Sequence, residues 1–236
     1  MNFALIFAGG VGSRMNRTDQ PKQFLEIAGK AIISLTIEKF HDHDDIDGIV
    51  VVCVGSHIDA CRTEMARHNF HKVLDVVTGG QTAQESILQG LRCLKRFADG
   101  NDTVLVHDGV RPLIDSDLIS RNIKTVETHG SSVTIVACHE TILFRQAPDD
   151  DKFNALERSR CAIARAPQCY RIDDLLSAAE QAFRNGQEFV DTYSLMEHAG
   201  ILAAPVECDH TNIKITTYTD FLIAKKNLRV GGLGSL

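Results

Sequence analysis

The residues best suited to chemistry follow the first apolar segment of the chain, in a stretch rich in glycine and ending in two cations. Starting from Ala8, these are Gly9, Gly10, Gly12, Arg14 and Lys22. Glycines let the backbone approach phosphates closely, and fixed positive charge stabilises the charge that develops when a nucleotide triphosphate is attacked at its α-phosphate. The Walker A and dinucleotide G-x-G-x-x-G patterns are both missing. The stretch therefore predicts a triphosphate site of another type, with a ligand-free glycine turn as the alternative.

A second group of polar residues lies where the apolar segment 103–107 ends. Asp108 and Arg111 come together there, directly after His107. An Asp at this position can contact a metal–phosphate region, and an Arg can bind an anionic substrate. The alternative is an Asp–Arg ion pair with a structural role. We expect His107 to pack behind the site rather than to act as a base.

A third candidate follows the apolar segment 73–77. Gly79, Gly80 and Gln81 follow it after Thr78, and Ser86 falls on the next predicted helix. Two glycines and polar side chains suit contacts to a base or a ribose. A tight turn before a helix produces the same pattern, so that reading stays open.

The elements that must position these residues alternate between strands and helices. Apolar, β-branched strands are predicted at 3–7, 49–54, 73–77 and 103–107, and helical spacing recurs at 33–40, 57–68, 87–94, 118–126, 175–183 and 220–228. This alternation predicts parallel βαβ units in a three-layer α/β/α sheet structure. Ligands bind at the carboxyl ends of strands in such folds, which is where all three polar groups lie.

The alternation breaks between residues 133 and 167. Extended segments are predicted at 133–138 and 141–144, followed by a charged tip at 149–152 and a return segment at 161–164. We interpret residues 138–163 as a β-arm protruding from a single domain that spans 1–236. Dimerisation is one use for such an arm, and a surface hairpin on a monomer is the other reading.

Composition limits the classes of function. The net charge of -6 argues against a non-specific nucleic-acid binder. No apolar run is long enough to predict a membrane span, and the apolar N-terminus lacks the basic region of a signal peptide. The seven cysteines show no C-x-x-C spacing, so we expect reduced thiols in a cytoplasmic protein and neither disulfides nor zinc.

Taken in order along the chain, the motifs closely resemble one family. They are AGGxGxRM from Ala8, PKQF from Pro21, the GG pair with Ser86, HDxxRP from His107, an isolated Arg158, Ala166-Pro167-Gln168 and NIKIT from Asn212. The family contains 2-C-methyl-D-erythritol 4-phosphate cytidylyltransferase and ribitol-5-phosphate cytidylyltransferase. The resemblance covers nearly the whole chain, and it implies a Rossmann-like nucleotidyltransferase fold.

The resemblance also implies roles for individual residues. Ala8, Gly9, Gly10, Gly12, Arg14 and Lys22 are expected to hold the CTP triphosphate, Arg14 and Lys22 also stabilising the transition state together with Lys214. Gly80, Gln81, Ser86 and Gly109 are expected around cytosine and ribose, and Asp108, Arg111, Thr141 and Lys214 around a polyol phosphate. Arg158, on the arm, is expected to reach the substrate of a neighbouring subunit in a homodimer; a solvated surface arginine is the alternative. Mg²⁺ is expected to bridge the phosphates without a dedicated protein ligand, Asp108 being the nearest candidate.

Some positions depart from the family pattern. Ala83 replaces an arginine, while Ala166 and Val190 replace threonines that the resemblance places near the polyol phosphate. Together with Phe7 in the opening motif and Phe24-Leu25-Glu26 after Pro21-Lys22-Gln23, these departures favour D-ribitol 5-phosphate as acceptor. The methylerythritol enzyme, a sugar-phosphate nucleotidyltransferase for another base and a non-catalytic nucleotide-binding homologue remain the alternatives.

Overall fold

The computed structural model describes residues 1–8 and 21–230, which form a seven-stranded sheet covered by helices on both faces. The strands are β1 (Asn2–Ala8), β2 (Glu26–Ile27), β3 (Lys30–Ala31), β4 (Gly48–Cys53), β5 (Val73–Thr78), β6 (Thr103–Asp108), β7 (Ser131–Ala137), β8 (Leu143–Phe144), β9 (Asn154–Ala155), β10 (Ala162–Arg171) and β11 (Ala204–Glu207). The helices are α1 (Ile32–His41), α2 (Ile58–Arg67), α3 (Ala83–Leu94), α4 (Ser116–His129), α5 (Ile172–Arg184), α6 (Thr192–His198) and α7 (Tyr218–Val230).

The sheet has the order β11-β7-β10-β6-β1-β4-β5. Strands β6, β1, β4 and β5 are mutually parallel, and β1 and β4 read as nearly continuous apolar runs because helices cover both faces. One core contains side chains of α1, α2 and α4, and a second contains side chains of α3, α5 and α6. A third, smaller cluster includes Ile27, Ile32 and Ala224. The predicted three-layer α/β/α fold is therefore confirmed.

Strand β10 is where the sequence-based prediction was wrong. The extended return segment was expected at 161–164, but β10 continues to Arg171 and pairs antiparallel with both β6 and β7. Its register shifts between Ala164 and Gln168. Alanine, proline and polar residues in this stretch hide the apolar alternation that would have revealed a central strand. The hairpin β2–β3, helix α6 and strand β11 were also not predicted.

The segment between β7 and β10 carries a small ribbon of two antiparallel strands, β8 and β9. Its apolar side chains are largely exposed, with Leu143 at 55% and Phe153 at 51% of their accessible surface. This ribbon lies within the range expected for the arm. The observed strand starts at Leu143 rather than at Thr141.

Within the described residues, none of the helices has the length and apolar character needed to cross a membrane.

Candidate active site

The carboxyl ends of β1 and β6 lie side by side, with Phe7 paired to Asp108, and a cavity of about 240 Å³ opens beside them. Charged side chains from three segments line this cavity: Asp108 and Arg111 after β6, Arg165 on β10, and Lys214 before α7. Apolar side chains from α3, α5 and the start of α6 line it as well, together with Ala166 and Val190. The cavity thus lies where a parallel α/β sheet binds its ligands.

Asp108 is the centre of the charged group. Its Oδ2 accepts a hydrogen bond from Nε of Arg111 at 2.6 Å, and its Oδ1 lies 2.5 Å from Nζ of Lys214. Asp108 and Arg111 are both buried, whereas Lys214 remains partly exposed. Both carboxylate oxygens are therefore engaged, and both cations are held in fixed positions at the cavity wall.

Two opposing effects set the pKa of Asp108. Burial alone would raise it, but the charges of Arg111 and Lys214, and the hydrogen bonds from both, hold the pKa of this carboxyl below its ordinary value. Asp108 is consequently ionised at neutral pH. Its charge keeps Arg111 in place, because an unpaired buried guanidinium would be costly.

The segment that brings Lys214 to the site is hydrogen-bonded to the loop after β6 and to β10. Nη1 of Arg111 donates to the carbonyl of Asn212 at 3.0 Å, and the amide of Ile215 donates to the carbonyl of Val110 at 2.9 Å. Nδ2 of Asn212 donates to the carbonyl of Ala166 at 2.8 Å. These bonds explain why the Asn-Ile-Lys sequence, distant along the chain, lies against the Asp108 loop.

His107 lies behind the charged group and does not face the cavity. Its Nε2 is 3.2 Å from the carbonyl of Arg111, and its ring packs against Phe40. Burial lowers the pKa of His107 to about 4, so the ring is neutral at physiological pH. A packed, supporting histidine is the role that this environment indicates.

The loop between β5 and α3 is held by its own side chains. The amide of Gly80 donates to Oγ of Ser86 at 3.2 Å, and the amide of Gln81 donates to Oε2 of Glu85 at 2.7 Å. A Cβ atom at Gly80 would lie 2.2 Å from Cβ of Glu85, so this close approach requires glycine. Ser86 is buried and also donates to the carbonyl of Thr82. The structure thus gives Ser86 a role in shaping the loop, and it leaves the Gln81 side chain exposed.

Lys22 starts a single 3-10 turn that is anchored at the end of β1. Nε2 of the neighbouring Gln23 donates to the carbonyl of Ala8 at 3.3 Å, and Gln23 is buried. Gly109 is fixed at the same edge, since its amide donates to the carbonyl of Phe7 at 2.9 Å. Lys22 and Gly109 therefore lie on segments held against the end of β1. The predicted residues Gly9, Gly10, Gly12 and Arg14 lie outside the described residues.

Thr141 and Arg158 do not line the cavity of their own chain. Thr141 is exposed on the arm, and Nη1 of Arg158 donates to the carbonyl of His139 at 2.7 Å near the base of the arm. Arg158 lies instead beside a separate surface depression, together with Cys138 and Glu207. A role for Arg158 in the site consequently requires a second copy of the chain.

Four residues that line the cavity had no role predicted from the sequence: Gln168, Asp191, Thr192 and Arg165. The Gln168 side chain accepts hydrogen bonds from Oγ1 of Thr192 and from the amide of Tyr193, and it donates to Asp191. It thereby fixes the start of α6 against β10. Arg165 is the fourth, and its position directly before Ala166-Pro167-Gln168 was the available signal. The strand prediction ended one residue before it, which is why it was missed.

The described residues contain no group of three His, Cys, Asp or Glu side chains arranged to hold a metal ion. Asp108, the nearest candidate, uses both oxygens on cations of the protein. This donor set does not fit a dedicated Mg²⁺ site on that carboxylate.

The chain matches the family described as 2-C-methyl-D-erythritol 4-phosphate cytidylyltransferase over residues 3–230. It is 43% identical to a ribitol-5-phosphate cytidylyltransferase of Vibrio parahaemolyticus, covering 98% of this chain and 100% of the relative. It is 34% identical to a 2-C-methyl-D-erythritol 4-phosphate cytidylyltransferase of Clostridium acetobutylicum, covering 97% and 98% of the two chains. The solved structure of the Francisella tularensis enzyme of the latter name aligns with a TM-score of 0.78 at 27% identity, over 97% of this chain and 99% of that one.

Proposed function

This chain belongs to the 2-C-methyl-D-erythritol 4-phosphate cytidylyltransferase family and is a nucleotidyltransferase; we propose that its reaction joins CTP to D-ribitol 5-phosphate, giving CDP-ribitol and pyrophosphate. The observation that carries the acceptor class is the arrangement of Arg111 and Lys214 on the two oxygens of Asp108, at the wall of a cavity sized for a small ligand. Fixed cations at the carboxyl edge of the sheet suit a small molecule that carries a phosphate.

The chemistry is an in-line displacement at phosphorus. An oxygen of the acceptor phosphate forms a bond to the α-phosphorus of CTP, and the bond from that phosphorus to the bridging oxygen of the β-phosphate breaks. A phosphate monoester is anionic near neutral pH, so the attacking oxygen needs no strong base. The main task of the protein is to bring two anions together and to stabilise the charge at the α-phosphate.

The family motifs and the contacts of the described residues support the following roles. Lys22 and Arg14, on the segment after β1, stabilise the triphosphate as it reacts, and Arg111 and Lys214 hold the acceptor phosphate. Asp108 positions both of these cations. Mg²⁺ would be carried by the phosphates of CTP and would supply further charge neutralisation there.

Two observations support ribitol 5-phosphate over the methylerythritol acceptor. The relatives named for ribitol 5-phosphate reach 43% identity, against 34% for a methylerythritol relative. Ala166 and Val190, which lack the hydroxyl groups of the family pattern, both line the cavity. A site that hydrogen-bonds one polyol discriminates against another when donors are removed.

The exposed arm supports a homodimer. Leu143, Phe144, Phe153 and Leu156 leave between 36% and 55% of their surface exposed on one short ribbon. Concentrated apolar exposure of this kind marks interaction surfaces, and a second copy of the chain is the proposed partner. In that dimer Arg158 contacts the acceptor phosphate of the other subunit.

A cytoplasmic location is proposed as well, since the seven cysteines are free thiols.

The experiment is a substrate screen with purified protein and MgCl₂, in which pyrophosphate release and the nucleotide product are both measured. CTP should be used in strong preference to ATP, GTP and UTP, and a polyol phosphate should be needed for release. Equal kcat/KM with CTP and a purine nucleotide would overturn the base assignment. CTP binding without pyrophosphate release for any acceptor would indicate a non-catalytic homologue.

A further inference from the structure

Among the residues that the structure describes, the guanidinium group of Arg165 forms no salt bridge. Arg165 is half-buried on β10, in the stretch where the register shifts, and its side chain lines the cavity that contains Arg111 and Lys214. Its Nε is buried and lacks a hydrogen-bond partner among the described residues. A buried donor left unpaired needs an explanation, and a bound ligand is a common one.

The charges around Arg165 indicate which kind of ligand would suit it. Burial, followed by the charge of Arg111, lowers the pKa of Arg165, while Cys208 and Asp220 act in the opposite direction. Asp108 lines the same cavity, but Arg111 and Lys214 already occupy both of its oxygens. Arg111, Arg165 and Lys214 all line this cavity, and Arg165 forms no ion pair with a described residue. An anion entering the cavity would relieve the repulsion between these cations.

The position of β10 indicates which substrate supplies the anion. In the sheet, β10 lies on one side of β6, whereas β1, β4 and β5 lie on the other. The segments proposed to hold CTP follow β1 and β5. Arg165 consequently lies on the half of the site away from the nucleotide, together with Ala166 of the acceptor-side cavity wall.

We infer that Arg165 is a substrate-binding residue that grips the phosphate of the acceptor together with Arg111 and Lys214. This inference rests on the proposed function for the identity of the acceptor. The planar guanidinium can donate two parallel hydrogen bonds to a phosphate, which a point charge such as lysine cannot reproduce. A purely structural role, such as supporting the neighbouring Asn212, is the competing explanation, since Oδ1 of Asn212 is also buried without a partner among the described residues.

The test compares Arg165→Gln and Arg165→Lys with wild type, and with Arg184→Gln as a matched control. Arg184 is a largely exposed arginine at the end of α5, paired only loosely with Glu180. Loss of charged hydrogen bonds to phosphate should raise the KM for D-ribitol 5-phosphate about ten- to a hundredfold in Arg165→Gln. The KM for CTP should stay within about twofold, Arg165→Lys should recover part of the loss, and Arg184→Gln should match wild type.

The thermal stability of Arg165→Gln distinguishes a ligand-binding role of Arg165 from a structural one. A residue retained for ligand binding often lowers the stability of the ligand-free protein. Arg165→Gln should therefore leave the Tm unchanged or raise it. A lowered Tm with an unchanged acceptor KM would overturn the inference in favour of a structural role. A KM for CTP that rises as much as the acceptor KM would overturn it in favour of a nucleotide contact.

A binding measurement keeps this inference separate from the proposed reaction. Calorimetric titration of D-ribitol 5-phosphate, and of inorganic phosphate, into CTP-free protein requires no turnover. Weaker binding of both probes by Arg165→Gln supports the phosphate contact even if the reaction screen fails. Equal binding by wild type and Arg165→Gln would overturn the contact even if the reaction proceeds.

Discussion

Nζ of Lys214 lies 2.5 Å from Oδ1 of Asp108, although the two residues are far apart along the chain. Arg111 occupies the other oxygen of the same carboxylate. One buried negative charge therefore sets the positions of two cations at the cavity wall. The account of the site depends on this arrangement.

Asp108→Asn should weaken both activity and stability. The substitution leaves Arg111 buried without its counter-charge, which should lower the free energy of unfolding by about 3 kcal/mol and kcat/KM by roughly 100-fold. Denaturant unfolding and steady-state kinetics measure the two effects. Asp117→Asn is the matched control, because Asp117 forms an exposed pair with Arg121. The control should change stability by less than about 1 kcal/mol, and an equal effect of both variants would contradict the account.

Lys22→Ala should lower kcat by roughly 100-fold without unfolding the protein, because it removes charge near the reacting phosphate. The fold should survive since the buried Gln23 still anchors the segment to Ala8. Lys39→Ala, on the exposed side of α1, serves as control. Circular dichroism checks the fold of each variant, and a near-normal kcat for Lys22→Ala would remove Lys22 from the catalytic set.

The unfolding free energy should fall as the pH decreases from about 6.5 to about 4. The pKa of His107 is about 4 in the folded protein and 6.5 ordinarily, so in this window the unfolded chain binds a proton that the folded chain does not. The stabilisation that comes from keeping His107 neutral is fully present above pH 6.5 and is lost progressively as the pH falls to about 4. The total loss is about 3 kcal/mol. His107→Asn should reduce this slope, whereas His129→Asn, at an exposed position, should not. An identical slope in His107→Asn and wild type would refute the assignment.

Arg158→Ala and Lys22→Ala should complement each other when they are co-expressed as a heterodimer. Each variant alone should be poorly active. If Arg158 acts on the partner's site, one site of the heterodimer inherits both defects and the other inherits neither, so activity should recover towards half of wild type. A verified heterodimer without recovery would contradict the shared site, because an Arg158 acting within its own chain leaves one defect in each site.

The parts of the site that depend on local patterns could be predicted from the sequence. Asp108 and Arg111 lie three positions apart at the end of an apolar strand, so their proximity could be predicted from spacing. The placement of Lys214 beside them could not, because it depends on long-range backbone bonds such as that from Ile215 to Val110. Only the resemblance to a family indicated it.

The position of Arg165 in the cavity could not be predicted from local sequence patterns. The Ala-Arg-Ala-Pro-Gln stretch has neither helical nor strand periodicity, so the prediction ended β10 too early. The central position of β10 comes from its pairing with two neighbouring strands at once, which no short window of sequence contains. A cavity residue carried on such a strand becomes visible only when the sheet is assembled.

The central claim is that this cytidylyltransferase uses D-ribitol 5-phosphate. The most direct test measures kcat/KM for pyrophosphate release with CTP and either D-ribitol 5-phosphate or 2-C-methyl-D-erythritol 4-phosphate, under identical conditions. The account predicts a higher kcat/KM with D-ribitol 5-phosphate than with 2-C-methyl-D-erythritol 4-phosphate, by at least about tenfold if one or two hydrogen bonds decide the choice. A higher kcat/KM with 2-C-methyl-D-erythritol 4-phosphate would contradict the account.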